Sequence, residues 1–339
     1  MSAVRGLLER EIGAARVSTR GALPLAEPQD EAQVCALLRL ASREKLRVLP
    51  LGLGPAERAA DFALCTRALT GVVEYEPDEG VITARAGSTL AGLRALTGAQ
   101  RHWLTPFLAR EEQATLGGAI SAGQSGLDRL RFGPLRHHVL GLRVALGDGT
   151  IVKSGGRLVK NVTGYDMHRL YTGARGSLCV VLEASLRLFP APRAYAWVQA
   201  PGAALHEGGI RPLVRALGRI PGGWEHGVLL GGAQEVVAEE LALLGATRAL
   251  EGPAALAAAR AFADRHAPEG ARTRLECLPA ELPGLLERLE GGSGRCLVLP
   301  GVVTAEIEGA PTAAEHPRRE LDRRIKRALD PQGVLAEAW

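Results

Sequence analysis

Between Gln113 and Pro190, glycines and small residues alternate with short β-branched runs, and this alternation restricts the fold more than any other feature of the chain. The stretch opens with Ala114-Thr115-Leu116-Gly117-Gly118-Ala119-Ile120-Ser121-Ala122-Gly123-Gln124-Ser125-Gly126. The apolar run 139–146, the turn Gly147-Asp148-Gly149 and Thr150-Ile151-Val152 follow. Next come Lys160-Asn161-Val162-Thr163-Gly164-Tyr165-Asp166 and, after it, Gly173-Ala174-Arg175-Gly176-Ser177-Leu178 running into the apolar 179–182. Glycine has no Cβ, so backbone at these points can approach a ligand closely. Exposed N–H groups in such loops can hold phosphate oxygens. The pattern therefore predicts ligand-approaching loops framed by strands.

The preceding residues supply a second loop of this kind. Asp30 is placed to cap a helix whose apolar stripe runs through Ala32, Cys35, Ala36, Leu38 and Leu40, with Glu31 at its positive end. A short strand over 47–50 leads at once into Leu51-Gly52-Leu53-Gly54-Pro55. Helix, strand and Gly-rich turn is the order expected of a phosphate-contacting loop. Another strand is expected at 64–66. Strands over 72–75 and 81–86 around Pro77-Asp78-Glu79-Gly80 predict a hairpin, and Gly87-Ser88-Thr89 caps a helix over 90–96.

Composition narrows the function classes. At 339 residues the chain is long enough for two or three domains, and its hydrophobic content of 46% is ordinary for a globular protein. A net charge of +4 with dispersed basic residues gives no nucleic-acid footprint, and 4% aromatic content leaves no base-stacking platform. The cysteines Cys35, Cys65, Cys179, Cys277 and Cys296 form no C-x-x-C pair, so buried free thiols are expected and no metal or iron–sulfur site. Residues 1–17 read as an amphipathic surface helix rather than a signal peptide, and no apolar run is long enough to span a membrane. The expected location is cytoplasmic.

After Pro190 the texture changes. Strands are predicted over 195–200, 226–230, 272–277 and 296–299, and helices over 210–217, 235–244, 254–264 and 280–289. A last basic helix over 318–329 ends at Asp330-Pro331-Gln332-Gly333.

The ordered set Pro50-Leu51-Gly52, Glu74-Tyr75-Glu76-Pro77, Thr83-Ala84-Arg85-Ala86-Gly87, Ala114-Thr115-Leu116-Gly117-Gly118, Gly164-Tyr165-Asp166 and Gly176-Ser177-Leu178 resembles the FAD-binding domain of the vanillyl-alcohol-oxidase type. Within that family the chain is similar to the second, smaller flavin-type subunit of bacterial glycolate oxidase. The resemblance covers about residues 20 to 190 and, more faintly, 325 to 335. It implies an α+β fold: a two-subdomain FAD-binding domain over 1–190, with subdomains of about 1–75 and 76–190. A small α+β cap domain would occupy 191–310, and a C-terminal helix over 311–339 would return toward the FAD domain.

The resemblance also implies a site. Gly52, Leu53, Gly54 and Pro55, with Thr115, Leu116, Gly117 and Gly118, would offer backbone N–H groups to the FAD pyrophosphate. Ser121, Ser125 and Gly126 would run past the isoalloxazine, and backbone from Gly176 to Val181 would meet the adenine side. Arg131 would meet a phosphate or a carboxylate substrate, or else be a solvated surface residue. FAD would be noncovalent, because no histidine lies between Leu51 and Phe62. The first loop departs from the family's Arg-Gly-Gly-Gly or Gly-Gly-Asn-Ser, and Pro55 removes a donor. The family's Asn-Pro-Gly-Arg after Asp-Pro-x-Gly is replaced by Ala336-Glu337-Ala338-Trp339.

No catalytic base stands out. His137-His138 is read as a loop or surface pair, and Tyr165-Asp166 as a lock on its loop. The implied activity is oxidation of a small hydroxy acid, glycolate, in complex with a larger flavoprotein subunit and an iron–sulfur subunit. Any membrane association would be peripheral and through those partners. The rival readings are a flavin-free assembly subunit and a self-sufficient FAD-dependent oxidase of another hydroxy acid.

Overall fold

The computed structural model describes the chain except residues 1, 54–57, 125, 158–163, 203–208, 221–222, 269–271, 277, 291–294, 301–303, 309–318 and 338–339. The chain begins with helix α1 (Ser2–Ile12), which buries Leu8 and Ile12. Strands β1 (Val17–Arg20) and β2 (Leu23–Ala26) form a hairpin, and helix α2 (Glu31–Glu44) crosses over to β3 (Val48–Leu51) and β4 (Phe62–Cys65). These four strands make one sheet in the order β1-β2-β4-β3, with β2, β4 and β3 parallel. The cap on α2 is the expected one: the Asp30 carboxylate accepts from the Gln33 amide at 2.8 Å, and Lys45 closes the helix in the left-handed region.

The second sheet is antiparallel and five-stranded, in the order β5-β6-β10-β8-β9. The hairpin of β5 (Val72–Glu76) and β6 (Val81–Arg85) turns where the sequence placed it, and Thr89 caps helix α3 (Leu90–Ala99) by accepting from the Gly92 amide. A short strand β7 (His102–Trp103) leads to helices α4 (Leu116–Ala122) and α5 (Arg129–Phe132). Strands β8 (Val139–Ala145) and β9 (Ile151–Gly155), helix α6 (Met167–Tyr171) and strand β10 (Val180–Arg187) follow, and β11 (Phe189–Pro190) pairs with β7. The two sheets share an apolar core, in which Ala145, Val180 and Leu182 pack with Val34, Leu38 and Phe62.

The remaining strands form a seven-stranded antiparallel sheet in the order β15-β12-β14-β13-β17-β18-β16. Its strands are β12 (Ala194–Pro201), β13 (Val214–Ile220), β14 (Gly223–Gly232), β15 (Leu250–Glu251), β16 (Arg272–Glu276), β17 (Cys296–Leu299) and β18 (Thr304–Glu308). Helices α7 (Gln234–Leu243), α8 (Gly252–His266) and α9 (Leu282–Glu290) pack on it. One expectation fails here. Residues 210–217 were read as helical, yet Val214 to Ile220 is the strand β13, paired with β14 and β17. The apolar residues Leu213, Val214, Ala216 and Leu217 fit either period. What decides is pairing with β14 and β17, and Gly218 lets the strand pass close to the His266 ring of α8.

More than half of the chain's few aromatic residues gather where this sheet meets the first two. Trp103 stacks on Phe132 and meets Phe107 edge-on, Phe132 touches Phe189, and Trp197 meets Phe262. Beside them lies a buried ion triad. Glu111 is fully buried and accepts from Arg94, at 2.7 Å, and from Arg260 of α8, at 3.2 Å. Arg110 donates to the carbonyls of Ala267 and Pro268 across the same junction.

The chain end returns to the first sheet. Helix α10 (Arg319–Leu329) packs Ile325 and Leu329 on the second core, and Leu335 bridges parallel to Val48. Lys326 is buried and donates to the carbonyls of Ser177 and Leu335, at 2.8 Å each, and to the Asp330 carboxylate. Asp330 in turn accepts from the Val334 and Leu335 amides.

Candidate functional site

Three loops distant in sequence converge at one place. A Cβ on Gly52 would collide with the Thr115 hydroxyl and come within 3.5 Å of the Gly118 Cα. A Cβ on Gly176 would lie 3.1 Å from the ring of Pro50, and one on Gly117 would lie 2.7 Å from the Ala86 Cβ. The first Gly-rich turn meets both the start of α4 and the turn before β10, and glycine is required because the Thr115, Pro50 and Ala86 side chains occupy the space a Cβ would take.

The amides of the second loop are not free to meet a ligand. Leu116 N donates to Ser88 O at 2.8 Å, Gly117 N to Ala86 O at 2.8 Å, and Gly118 N to the Thr115 hydroxyl at 3.2 Å. The amides of Leu116 to Gly118, expected as donors, each have a partner within the chain. Thr115 is the N-cap of α4, and the helix's first donors are answered by that hydroxyl and by backbone after β6. What this loop provides is closeness. Leu116 itself is buried in the core.

The other expected residues divide. Leu53 accepts from Arg20 at 2.9 Å through its carbonyl, and Gly52 through its carbonyl from the Cys65 thiol at 3.2 Å. Gly54, Pro55 and Ser125 lie outside the described residues, as do Lys160 to Thr163. Ser121 accepts from the Arg175 amide through its carbonyl at 2.6 Å, joining α4 to the Gly176 turn. Gly126 is set apart from the three loops, against Phe107 and Asp128. Asp128 is buried and accepts from Trp103 Nε1 and the Phe107 amide, both at 2.9 Å; burial pushes its carboxyl up. Arg131 is exposed on α5. Val181 turns its side chain into the core.

Two expectations about nearby residues change. His138 is buried rather than on a surface, edge-on to Phe189 at 5.1 Å, and burial holds its imidazole below the usual range. Its neighbour His137 is exposed, on the 3₁₀ turn Leu135–His137. Tyr165 is 93% exposed and so is no lock on its loop. It borders a cavity of ≈ 360 Å³ with Lys153, Ser154 and Tyr171. The four described cysteines are buried free thiols, and burial pushes them up.

Sequence reasoning passed over Arg58. Its guanidinium donates to Arg175 O at 2.6 Å and to Glu337 O at 3.1 Å. It lines a cavity of ≈ 420 Å³ with Arg47, Lys326, Gly333, Leu335 and Glu337. No local pattern marks it, because its partners are 117 and 279 residues away.

Residues 22–155 match the family described as the FAD binding domain. This part of the chain is similar to FAD-binding domains, and the cofactor the match supports is FAD. The contacts of Gly52, Gly118 and Gly176 are with Thr115 and Pro50 of the chain itself and hold the three loops of this domain together. Similar proteins include the D-lactate dehydrogenase of Archaeoglobus fulgidus, 34% identical over 49% of this chain and 39% of that protein. The glycolate oxidase subunit GlcE of Escherichia coli is 40% identical over 39% of this chain and 38% of its own. The glycolate oxidase subunit GlcD of Bacillus subtilis is 30% identical over 49% of this chain and 36% of its own. The chain thus matches under two fifths of the length of these relatives. Among solved structures, an alkyldihydroxyacetonephosphate synthase superposes with a TM-score of 0.67 at 15% identity, over 92% of this chain and 75% of the other. That likeness speaks to fold, and the fold class is the expected α+β arrangement of FAD-binding enzymes.

Proposed function

We propose that the chain is the FAD-binding subunit of a complex that oxidises a 2-hydroxy acid, glycolate, to the corresponding 2-oxo acid. The observation that carries this is the 40% identity to a glycolate oxidase subunit over 39% of this chain. In this reading residues 1–190 hold FAD, 191–310 form the cap and 311–339 return to the FAD domain. Bound FAD supplies the two-electron acceptor. The chain's own residues position it noncovalently. Gly52 to Pro55 and Thr115 to Gly118 let the diphosphate lie against backbone, Ser121 to Gly126 pass the flavin ring, and Gly176 to Val181 border the adenine side. Arg131, exposed on α5, is free to meet an anionic group.

Among the described histidines, His138 and His168 are buried, and burial leads in lowering both. Neither is open to solvent, and in this reading the chain acts together with partner subunits. A larger flavoprotein and an iron–sulfur subunit complete the enzyme. The isolated chain, reconstituted with FAD, is expected to keep a flavin spectrum through gel filtration and to show no bleaching with glycolate. Rapid bleaching by glycolate or another hydroxy acid would instead establish a self-sufficient oxidase. The engaged amides of Leu116 to Gly118 favour a second reading, a flavin-free assembly subunit. A flat visible spectrum after reconstitution decides for it.

A further inference from the structure

A dinucleotide's diphosphate carries two negative charges, and the loop expected to meet it has its amides engaged. Resting on the FAD reading above, we infer that Arg58 and Arg175 hold the FAD diphosphate in this chain. The two residues meet where the turn after β3 faces the turn before β10. Arg58 reaches across to Arg175 O, and the adjoining Gly176 packs on Pro50, the residue that leads into Gly52. The pair therefore stands beside the three-loop convergence.

Charge bookkeeping singles these two out. Of the cations lining the ≈ 420 Å³ cavity, Lys326 is paired with Asp330 and Arg47 faces Asp61 at 3.9 Å. Arg58 gives its hydrogen bonds to neutral carbonyls only, and among the described residues neither it nor Arg175 forms an ion pair. Glu337 also lines this cavity, meeting Arg58 through its carbonyl. Arg175 is exposed, and Arg58 reaches its backbone carbonyl, so both residues are placed where an anionic ligand could be held by charge-assisted hydrogen bonds. Burial and then the Arg175 charge both pull the Arg58 guanidinium below its usual range, the direction that an approaching phosphate reverses. A guanidinium fork suits phosphate oxygens. Arg175 is also held at φ 52°, a conformation rare for a residue with a side chain, by its amide bond to Ser121 O and its carbonyl bond to Arg58.

The test is titration of the full-length apoprotein with FAD and with riboflavin, which lacks the diphosphate, by flavin fluorescence at low and moderate salt. Arg58→Gln and Arg175→Gln are each expected to weaken FAD binding about tenfold, the usual worth of a charge-assisted hydrogen bond, and to flatten its salt dependence. Riboflavin binding is expected to change less than about twofold. Arg175→Gln removes no structural hydrogen bond of its side chain, so it remains informative should Arg58→Gln fail to fold. If wild type binds FAD and both variants bind it equally well, this inference is wrong while the cofactor reading stands. If wild type binds no FAD, both fall. Equal losses for FAD and riboflavin would also overturn the inference, since the effect would not involve the diphosphate.

Discussion

Two neighbouring regions, the start of α4 and the surroundings of Arg58, are built by opposite means. The side formed by α4 and the turn before it works by omission: Gly117 presses on Ala86, Gly118 on Gly52, and Gly123 on Gly173. Its donors are consumed by the fold, so it gives proximity and rigidity without charge. The side formed by Arg58, Arg175 and the returning chain end works by addition. Guanidinium groups and the buried Lys326 meet carbonyls contributed from far along the sequence. A backbone wall is insensitive to salt and pH but tolerates no added atom. A cationic wall tolerates reshaping, and its hold on an anion varies with ionic strength.

The contrast is best broken first at Lys326. Lys326→Met would leave Asp330 buried without its cation and untie Ser177 from Leu335. A loss of about 3–5 kcal/mol in urea unfolding is expected, the usual cost of breaking a buried pair; a change below about 1 kcal/mol would show that the chain end is not a structural tie. On the glycine side, Gly117→Ala is expected to cost about 1–3 kcal/mol, because the Ala86 strand end cannot yield. Gly156→Ala, where a Cβ meets open space, serves as its control and should stay within about 0.5 kcal/mol. Thr115→Val keeps the shape but removes the cap, for about 1 kcal/mol, and frees the Gly118 amide. If that variant binds FAD more tightly than wild type, the engaged amide had been limiting.

The smallest effect is with pH. Burial holds His138 below its unfolded value, so the unfolded chain takes up a proton first as pH falls. Stability is then expected to drop below about pH 6.5, the ordinary imidazole value, and to be unaffected by this residue above it. Thermal unfolding at pH 7.5 and 5.5 measures the slope. His138→Phe should remove part of it, the remainder coming from His168 and His266, which burial lowers in the same way. An unchanged slope in the variant would place the acid sensitivity elsewhere.

Local chemistry made much of the first half readable. Asp30 and Thr89 cap where their side chains and the following apolar periodicity require, and Pro77 to Gly80 turns a hairpin between two β-rich runs. The same reasoning failed at Val214–Ile220. Its apolar spacing satisfies a helix and a strand alike, and its partners in β14 and β17 lie outside any local window. The strand Thr304–Glu308 went unread for a related reason: it joins β16 to β17, and its own residues alternate weakly. His138 looked like a surface residue because charge and polarity around it dominate, while the burying ring, Phe189, is far along the chain.

By itself the sequence determined the caps of α2 and α3, the burial of the four described thiols, and the order of the glycine-bearing turns. These follow from interactions between residues one to four apart, which a pattern records directly. Only the tertiary structure decided that the Leu116–Gly118 amides are answered by Ser88, Ala86 and Thr115. It alone brought Arg58 to Arg175 and returned Leu335 to Val48. A hydrogen bond's acceptor is chosen by which strand or turn packs alongside, and that choice is made by the shared core rather than by the donor's neighbours.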